Sequence, residues 1–316
     1  MNEKKQIKKQ QLFCGMIFYS SLIEMEKELN EINYVIIKGE PLSMLAYGCY
    51  GNRSFHDIDI LIDRKDVPAV NQMLNNHGFY QLKRELTRQE RIYANQAHQT
   101  FSYLKDIARN TIVVDVNVDI FWGEYEGKRV NISDFINNPN KLNIYGFNAK
   151  VLRPMEALVA LTLHHYKELN SLHQLARGEH PYKAKLFKDI YNLIENNNCI
   201  SAKEFYDVCY DYEIIPYAYF VLYYTNKYIG SEVLSDYLTL FKTEEGVNLL
   251  ECYGLTNRER KKWKISFEDR IKATNLFEII REDLSQEDIH KIKLQKRIFN
   301  NSNERIEVIN NGRKID

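Results

Sequence analysis

The chain has 316 residues, room for about two domains at the usual ~150 residues each. Hydrophobic residues make up 44% and aromatics 12%, enough for a sizeable core, so wholesale disorder is excluded. Lys+Arg and Asp+Glu both number 43, and this balance argues against a globally basic nucleic-acid binder while leaving a local patch open. With a mean hydropathy of -0.47 and no run of ~18 apolar residues, no membrane span is expected. Gly (13) and Pro (6) are scarce, which argues against an all-β protein rich in tight turns.

The N-terminus, MNEKKQIKKQQLF, has a basic start, but the stretch after it is broken by Ser, Glu and Lys. It lacks the apolar core and cleavage site of a signal peptide and reads as an amphipathic first helix. Cys14, Cys49, Cys199, Cys209 and Cys252 are odd in number and widely spaced, with no CxxC. They read as reduced thiols of a cytoplasmic protein, not as a disulfide framework or a zinc finger.

Tyr34–Lys38 is a short β-branched run that predicts a buried strand. Gly39 follows, then a predicted helix from Pro41 to Tyr50. Asp57–Ile62 alternates and reads as a second strand. Asp66 is placed to cap a helix running to Asn76, with Gly78 as its C-terminal glycine. Tyr80–Leu86 and Gln99–Lys105 are weaker strand candidates. Thr111–Trp122 is the strongest strand pattern: Val114, Val116, Val118 and Ile120 on one face, Val113, Asp115, Asn117 and Asp119 on the other. The character changes near Val151. Helices are predicted for Pro154–Asn170, Lys183–Asn197, Ala202–Tyr212, Pro216–Tyr228 and Glu232–Phe241. Residues 257–316 are charged and weakly patterned. The expected fold is α+β: residues 1–150 a mixed sheet flanked by helices, residues 151–316 a mostly helical second domain.

The segment with the most chemistry is Lys38-Gly39 followed, across one helix, by Arg53-x-x-x-Asp57-Ile58-Asp59. Carboxylates at i and i+2 on a strand point the same way, roughly 6–7 Å apart. Such a pair can hold hard divalent cations that clamp a phosphoryl displacement. Gly39 lets the backbone approach a phosphate, and the helix after it presents free N–H groups. Lys38 and Arg53 can neutralise triphosphate charge, and Ser54 can donate to it. Asp115 on the long strand is the candidate third carboxylate, with Asp119 on the same face as reserve. Each feature alone has a plainer explanation: Asp-x-Asp is often a solvated strand face, and Lys-Gly after a strand is often just a turn. Their order and spacing together favour the functional one.

The stretch IIKGEPLSMLAYGCYGNRSFHDIDILIDRKDVPAVNQMLNNHGF resembles the uncharacterised nucleotidyltransferase family of the DNA polymerase β-type superfamily. The resemblance continues through His98, VVDVNVDIFW, LRPMEALVALTLHHYKELN and LFKDIYNLI with Asp189, and covers roughly residues 34–195. It implies a nucleotidyltransferase-like mixed sheet with a helical C-terminal domain. It further implies Mg²⁺- or Mn²⁺-dependent transfer of a nucleoside monophosphate from an NTP, with ATP the expected donor. By that likeness Asp57, Asp59 and Asp115 hold the metal, Gly39 lines the phosphate loop and Arg53 contacts phosphate. Two positions depart from the superfamily pattern. Glu40 replaces a small residue and adds negative charge near the phosphates, and Asn117 stands where a histidine is frequent.

The acceptor is expected to be a small molecule or peptide; a nucleic-acid end stays open. The competing hypothesis is a catalytically silent nucleotide- or partner-binding module on the same fold, motivated by Glu40 and Asn117. A small-molecule kinase is disfavoured by the absence of an H-x-D-x-x-x-x-N loop with a later acidic motif. His164 reads first as a core or interdomain histidine; the family likeness makes it a site-facing candidate. Adjacent His164 and His165 do not share a helix face, so they form no ready chelate. Tyr217–Tyr224 reads as core packing and Arg258–Lys264 as a solvated face.

Overall fold

In a computed structural model, residues 3–82, 85–107, 110–120, 130–177, 181–197 and 199–299 are described. Six strands form one sheet: β1 (Tyr34–Ile36), β2 (Ile58–Ile62), β3 (Tyr103–Ile107), β4 (Asn110–Asn117), β5 (Asn140–Ile144) and β6 (Phe147–Val151). Their order is β3-β4-β2-β1-β6-β5. The β2–β4 and β1–β6 pairs are parallel and the other three antiparallel, so the sheet is mixed. The helices of eight residues or more are α1 (Glu3–Ile23), α2 (Glu40–Tyr47), α3 (Val67–Asn76), α4 (Arg88–Gln96), α5 (Pro154–Asn170), α6 (Ala184–Glu195), α7 (Ala202–Asp211), α8 (Ile215–Ile229) and α9 (Gln286–Phe299).

Strand alternation divides the core between the two sheet faces. Tyr34, Ile36, Ile58, Ile60, Ile62, Val114 and Val116 pack with Phe18, Tyr19 and Leu22 of α1 and Val70, Met73 and Leu74 of α3. Val35 and Leu61 point the other way and join Leu158, Leu161, Phe187 and Phe220 of the helical half. The change of character falls at the end of β6, yet one apolar cluster runs across it. Asp57 and Asp59 share the parity of Leu61, so their side chains leave the sheet toward the helices.

The structure departs from the sequence expectations at several elements. Tyr80–Leu86 is not a strand; among its described residues only Tyr80 bridges, to Leu104. Of Gln99–Lys105, the strand begins only at Tyr103 and runs on to Ile107, while Gln99 makes an isolated bridge to Asn117. The long strand ends at Asn117, with Phe121 and Trp122 outside the described residues. Ile120 then packs with the helical cluster and not with Val114 and Val116. The α3 N-cap, Asp66, has helical backbone angles and makes no side-chain cap bond; Asp63 instead accepts from the Lys65 N–H and caps a preceding 3₁₀ turn. Helix α4 and the β5–β6 hairpin carried no prediction. The hairpin turns on Tyr145 (φ 52°) and Gly146 (φ 94°), the two positive φ values of a type I′ turn. The Tyr217–Tyr224 run lies in α8 with most of its rings buried, as core packing requires. Lys261 and Lys264 of the basic cluster pair with Asp288 and Asp283.

Candidate active site

Strand register assembles the carboxylates. Asp59 on β2 sits opposite Asp115 on β4 in parallel register, which puts both side chains on one face. Asp57 precedes β2 by one residue and shares that face. All three line a cleft of about 410 Å³ between the sheet and the helices that follow it. Asp119, beyond the end of β4, is buried and opens instead into a smaller adjoining pocket of about 30 Å³. The geometry therefore groups Asp115, not Asp119, with the Asp57–Asp59 pair.

Their electrostatics follow from crowding. Burial first, then the neighbouring Asp59 and Asp57 charges, push Asp115 up to about 7, against which a Ser102 hydrogen bond and Lys38 act more weakly. Asp57 is raised in the same way, by burial and by Asp59. Asp115 Oδ1 is buried with no hydrogen-bond partner among the described residues. A buried acceptor of this kind costs free energy unless something meets it, and two raised carboxylates in one cleft favour added positive charge there.

Lys38 supplies part of that charge. Ile37 N–H donates to the Asp59 carbonyl (3.0 Å), extending the β1–β2 pairing by one residue and carrying Lys38 to the cleft. Lys38 Nζ lies 3.1 Å from Asp59 Oδ1. Burial alone would depress Lys38, but Asp59 and Asp57 outweigh it and hold it above its ordinary value. Asn117 Nδ2 also donates to Asp59 Oδ1 (3.4 Å), so the residue in place of the superfamily histidine braces a site carboxylate.

Gly39 has φ 73° and ψ -132°, a conformation reserved in practice for glycine, and it caps α2. Neither Gly39 nor Ser54 lines the cleft; Gly39 acts through the bend. Arg53 does line it. Its Nε lies 2.8 Å from Asp189 Oδ2 on α6, and Tyr47 OH donates to the other oxygen at 2.5 Å. What remains of the guanidinium for a ligand is its terminal nitrogens. Glu40 corrects an expectation. It is fully buried away from the cleft, accepting from Tyr145 OH (2.6 Å) and the Gly51 N–H (2.9 Å). Burial raises its pKa, and its charge does not face the phosphates.

Sequence reasoning missed the helical wall. His164, Lys167 and Glu168 of α5 line the cleft at i, i+3 and i+4, a spacing that was readable as one helix face. His164 thus takes its second reading. Burial, then the Lys38 charge, hold it neutral, well below the usual histidine range. Lys167 lies 2.8 Å from Glu168 Oε1, an oxygen that also accepts from Gln174 Nε2 at 2.8 Å. His173, Arg177, Lys183 and Lys185 complete the wall, with burial and Arg177 pulling His173 down to about 3. Among the described residues, His165 has neither ring nitrogen hydrogen-bonded and lies outside the cleft. His180 is outside the described residues.

The donors fit a hard divalent cation: clustered carboxylate oxygens, one of them orphaned, with no thiolate beside them. Among the described residues no three His, Cys, Asp or Glu side chains close into a ready-made cage. Mg²⁺ is commonly bound without one, by one or two carboxylates completed by water and substrate phosphates.

Residues 7–230 match a family described as uncharacterised nucleotidyltransferases. No curated protein is found to match. By structure the chain is similar to an antigenic nucleotidyltransferase-like protein from Paracoccidioides brasiliensis, at 16% identity over 59% of this chain and 76% of that one, with a TM-score of 0.36. The family match spans well over half of the sequence and includes every carboxylate of the cleft, so the chain belongs to the uncharacterised nucleotidyltransferase family.

Proposed function

We propose that the protein transfers a nucleoside monophosphate from an NTP, with ATP the expected donor, to a hydroxyl or phosphate of a small-molecule or peptide acceptor, releasing pyrophosphate. The observation that carries this reading is the in-register Asp59–Asp115 pair with Asp57 beside it, facing a cationic wall across one cleft. Asp57, Asp59 and Asp115 are the residues that would hold Mg²⁺ or Mn²⁺. The bound ion supplies charge neutralisation and polarises the phosphoryl group under attack. Asp115, on the same face of the cleft, is the residue placed to accept the proton of an attacking hydroxyl. Lys38 and the terminal nitrogens of Arg53 contact the triphosphate, and Asp189 with Tyr47 fixes Arg53 in place. Catalysis in such a site is mostly positioning and charge stabilisation.

Glu40, which motivated a silent binding module, is turned away from the cleft, and Asn117 hydrogen-bonds Asp59. The test is pyrophosphate release across a panel of sugar, antibiotic, peptide and RNA acceptors, comparing wild type with Asp57→Ala/Asp59→Ala. Acceptor-dependent release is expected for wild type and loss of at least about 10³-fold for the variant, the scale of removing a transition-state charge partner. Acceptor-dependent release that survives in the variant overturns the assignment.

A further inference from the structure

Lys38 makes a contact in the site beyond the one expected with the triphosphate. Its ammonium lies 3.1 Å from Asp59 Oδ1, and its side chain is only 20% exposed. It lines both the reaction cleft and the small adjoining pocket, so it stands at the junction of the two. The oxygen it grips is the one Asn117 also donates to. A cation on Asp59 opposes a second cation at the same carboxylates, by direct repulsion and by competition for the oxygen lone pairs. The triphosphate is the other anion that Lys38 can reach from the end of β1.

We propose that Lys38 is an exchangeable counter-cation: it neutralises Asp59 in the empty site and passes to the triphosphate when ion and nucleotide enter, so that the two bind with strong positive coupling. This rests on the metal–nucleotide reading above and adds to it a thermodynamic order. Without nucleotide, the ion must displace Lys38 from Asp59 and leave it only the weaker pull of groups such as Glu168, so ion binding is weak. With nucleotide, the displaced ammonium finds phosphate oxygens, and both ligands tighten by the same factor, as linkage demands. The structure also gives the reason for a lysine at this position. A four-carbon stem can swing a point charge between two anions, whereas arginine's planar fork favours staying on one carboxylate.

The test measures Mn²⁺ binding to the full chain by the EPR signal of the free ion, with and without a nonhydrolysable ATP analogue. Wild type is expected to bind Mn²⁺ weakly alone and at least about tenfold more tightly with the analogue, inside the ~5–150-fold range of typical couplings. Lys38→Met is expected to bind Mn²⁺ at least about tenfold more tightly than wild type without nucleotide, and, once Mn²⁺ held by the analogue in protein-free solution is subtracted, to show a smaller coupling that retains only the part due to direct ion–phosphate contact. Lys38→Gln removes the same charge and serves if the methionine variant does not fold; Lys38→Arg keeps the charge and should keep Mn²⁺ binding weak. Unchanged or weaker Mn²⁺ binding by the neutral variants, or coupling as large in them as in wild type, overturns the exchange while leaving the metal–nucleotide reading intact. Wild type that binds neither Mn²⁺ nor the analogue overturns both.

Discussion

Asp115→Asn separates the cost of the empty site from its use. In the ion-free protein Asp115 is raised from the ordinary 3.8 to about 7, by burial and by Asp59 and Asp57. A tenfold change in proton affinity corresponds to about 1.4 kcal/mol between protonation states. For a carboxylate that titrates in contact with other charges, ionising Asp115 in the fold costs roughly 2–4 kcal/mol. The sign follows from linkage: a folded value above the unfolded one favours folding below about pH 4, and that contribution is lost as pH rises toward 7. Asparagine is neutral throughout and close in shape. In EDTA, Asp115→Asn should match wild type near pH 4 and exceed it at pH 8 by about 2–4 kcal/mol in urea unfolding, or several degrees in Tm. Added Mn²⁺ should raise wild type more than the variant, because ligand binding to the native state stabilises by mass action. The variant should nonetheless be inactive. Equal stability at pH 8, or a difference as large at pH 4, would refute the argument that crowded carboxylates strain the empty site.

Three further outcomes test the surrounding structure. Asp189→Ala removes a fully buried partner from Arg53 and Tyr47 and should cost about 3–5 kcal/mol in urea unfolding, as stranding a buried charge does. Gly39→Ala meets only ordinary contacts, with the Phe55 ring and the Tyr19 hydroxyl at 3.7 Å, so its cost is backbone strain at φ 73°, about 1–3 kcal/mol in stability, with weaker nucleotide binding where α2 is re-aimed. Glu40→Gln should leave ATP-analogue affinity, read by calorimetry, within about twofold, because the carboxylate faces Tyr145 and Gly51 and not the cleft. A marked gain in affinity would return Glu40 to the phosphate site.

The elements that could be read from the sequence are those whose signal is local. Ile58, Ile60 and Ile62 alternate with Asp57, Asp59 and Leu61, and that period of two is the sheet's own. The change to helix at Pro154 shows in the spacing of apolar residues along α5. Helix α4 has a single short hydrophobic run, Ile92–Ala94, among polar residues, and its one clear signal is the Thr87–Glu90 capping box, which both hydrogen bonds of the structure realise. The β5–β6 hairpin was hidden by polar strands and by Tyr145 at a positive φ, where asparagine would have announced the turn.

The site divides along the same line. Asp57 and Asp59 are two residues apart, so their shared face follows from the strand alone. Asp115 joins them only because β2 and β4 pair in a register that sets Asp59 against it; a shift of two residues would bring Asn117 to that place instead. No local pattern fixes that register, which is why Asp119 remained a rival until the pairing was known. Glu40 shows the converse. Its neighbours in sequence placed it beside phosphate, but α2 turns it inward to a tyrosine more than a hundred residues later in the chain. A carboxylate's role here is decided less by its motif than by which cation or donor the fold brings to it: Lys38 for Asp59, Arg53 for Asp189, Tyr145 for Glu40, and for the orphaned oxygen of Asp115 no donor among the described residues. That last oxygen is where an arriving ion gains most, because it displaces no existing hydrogen bond.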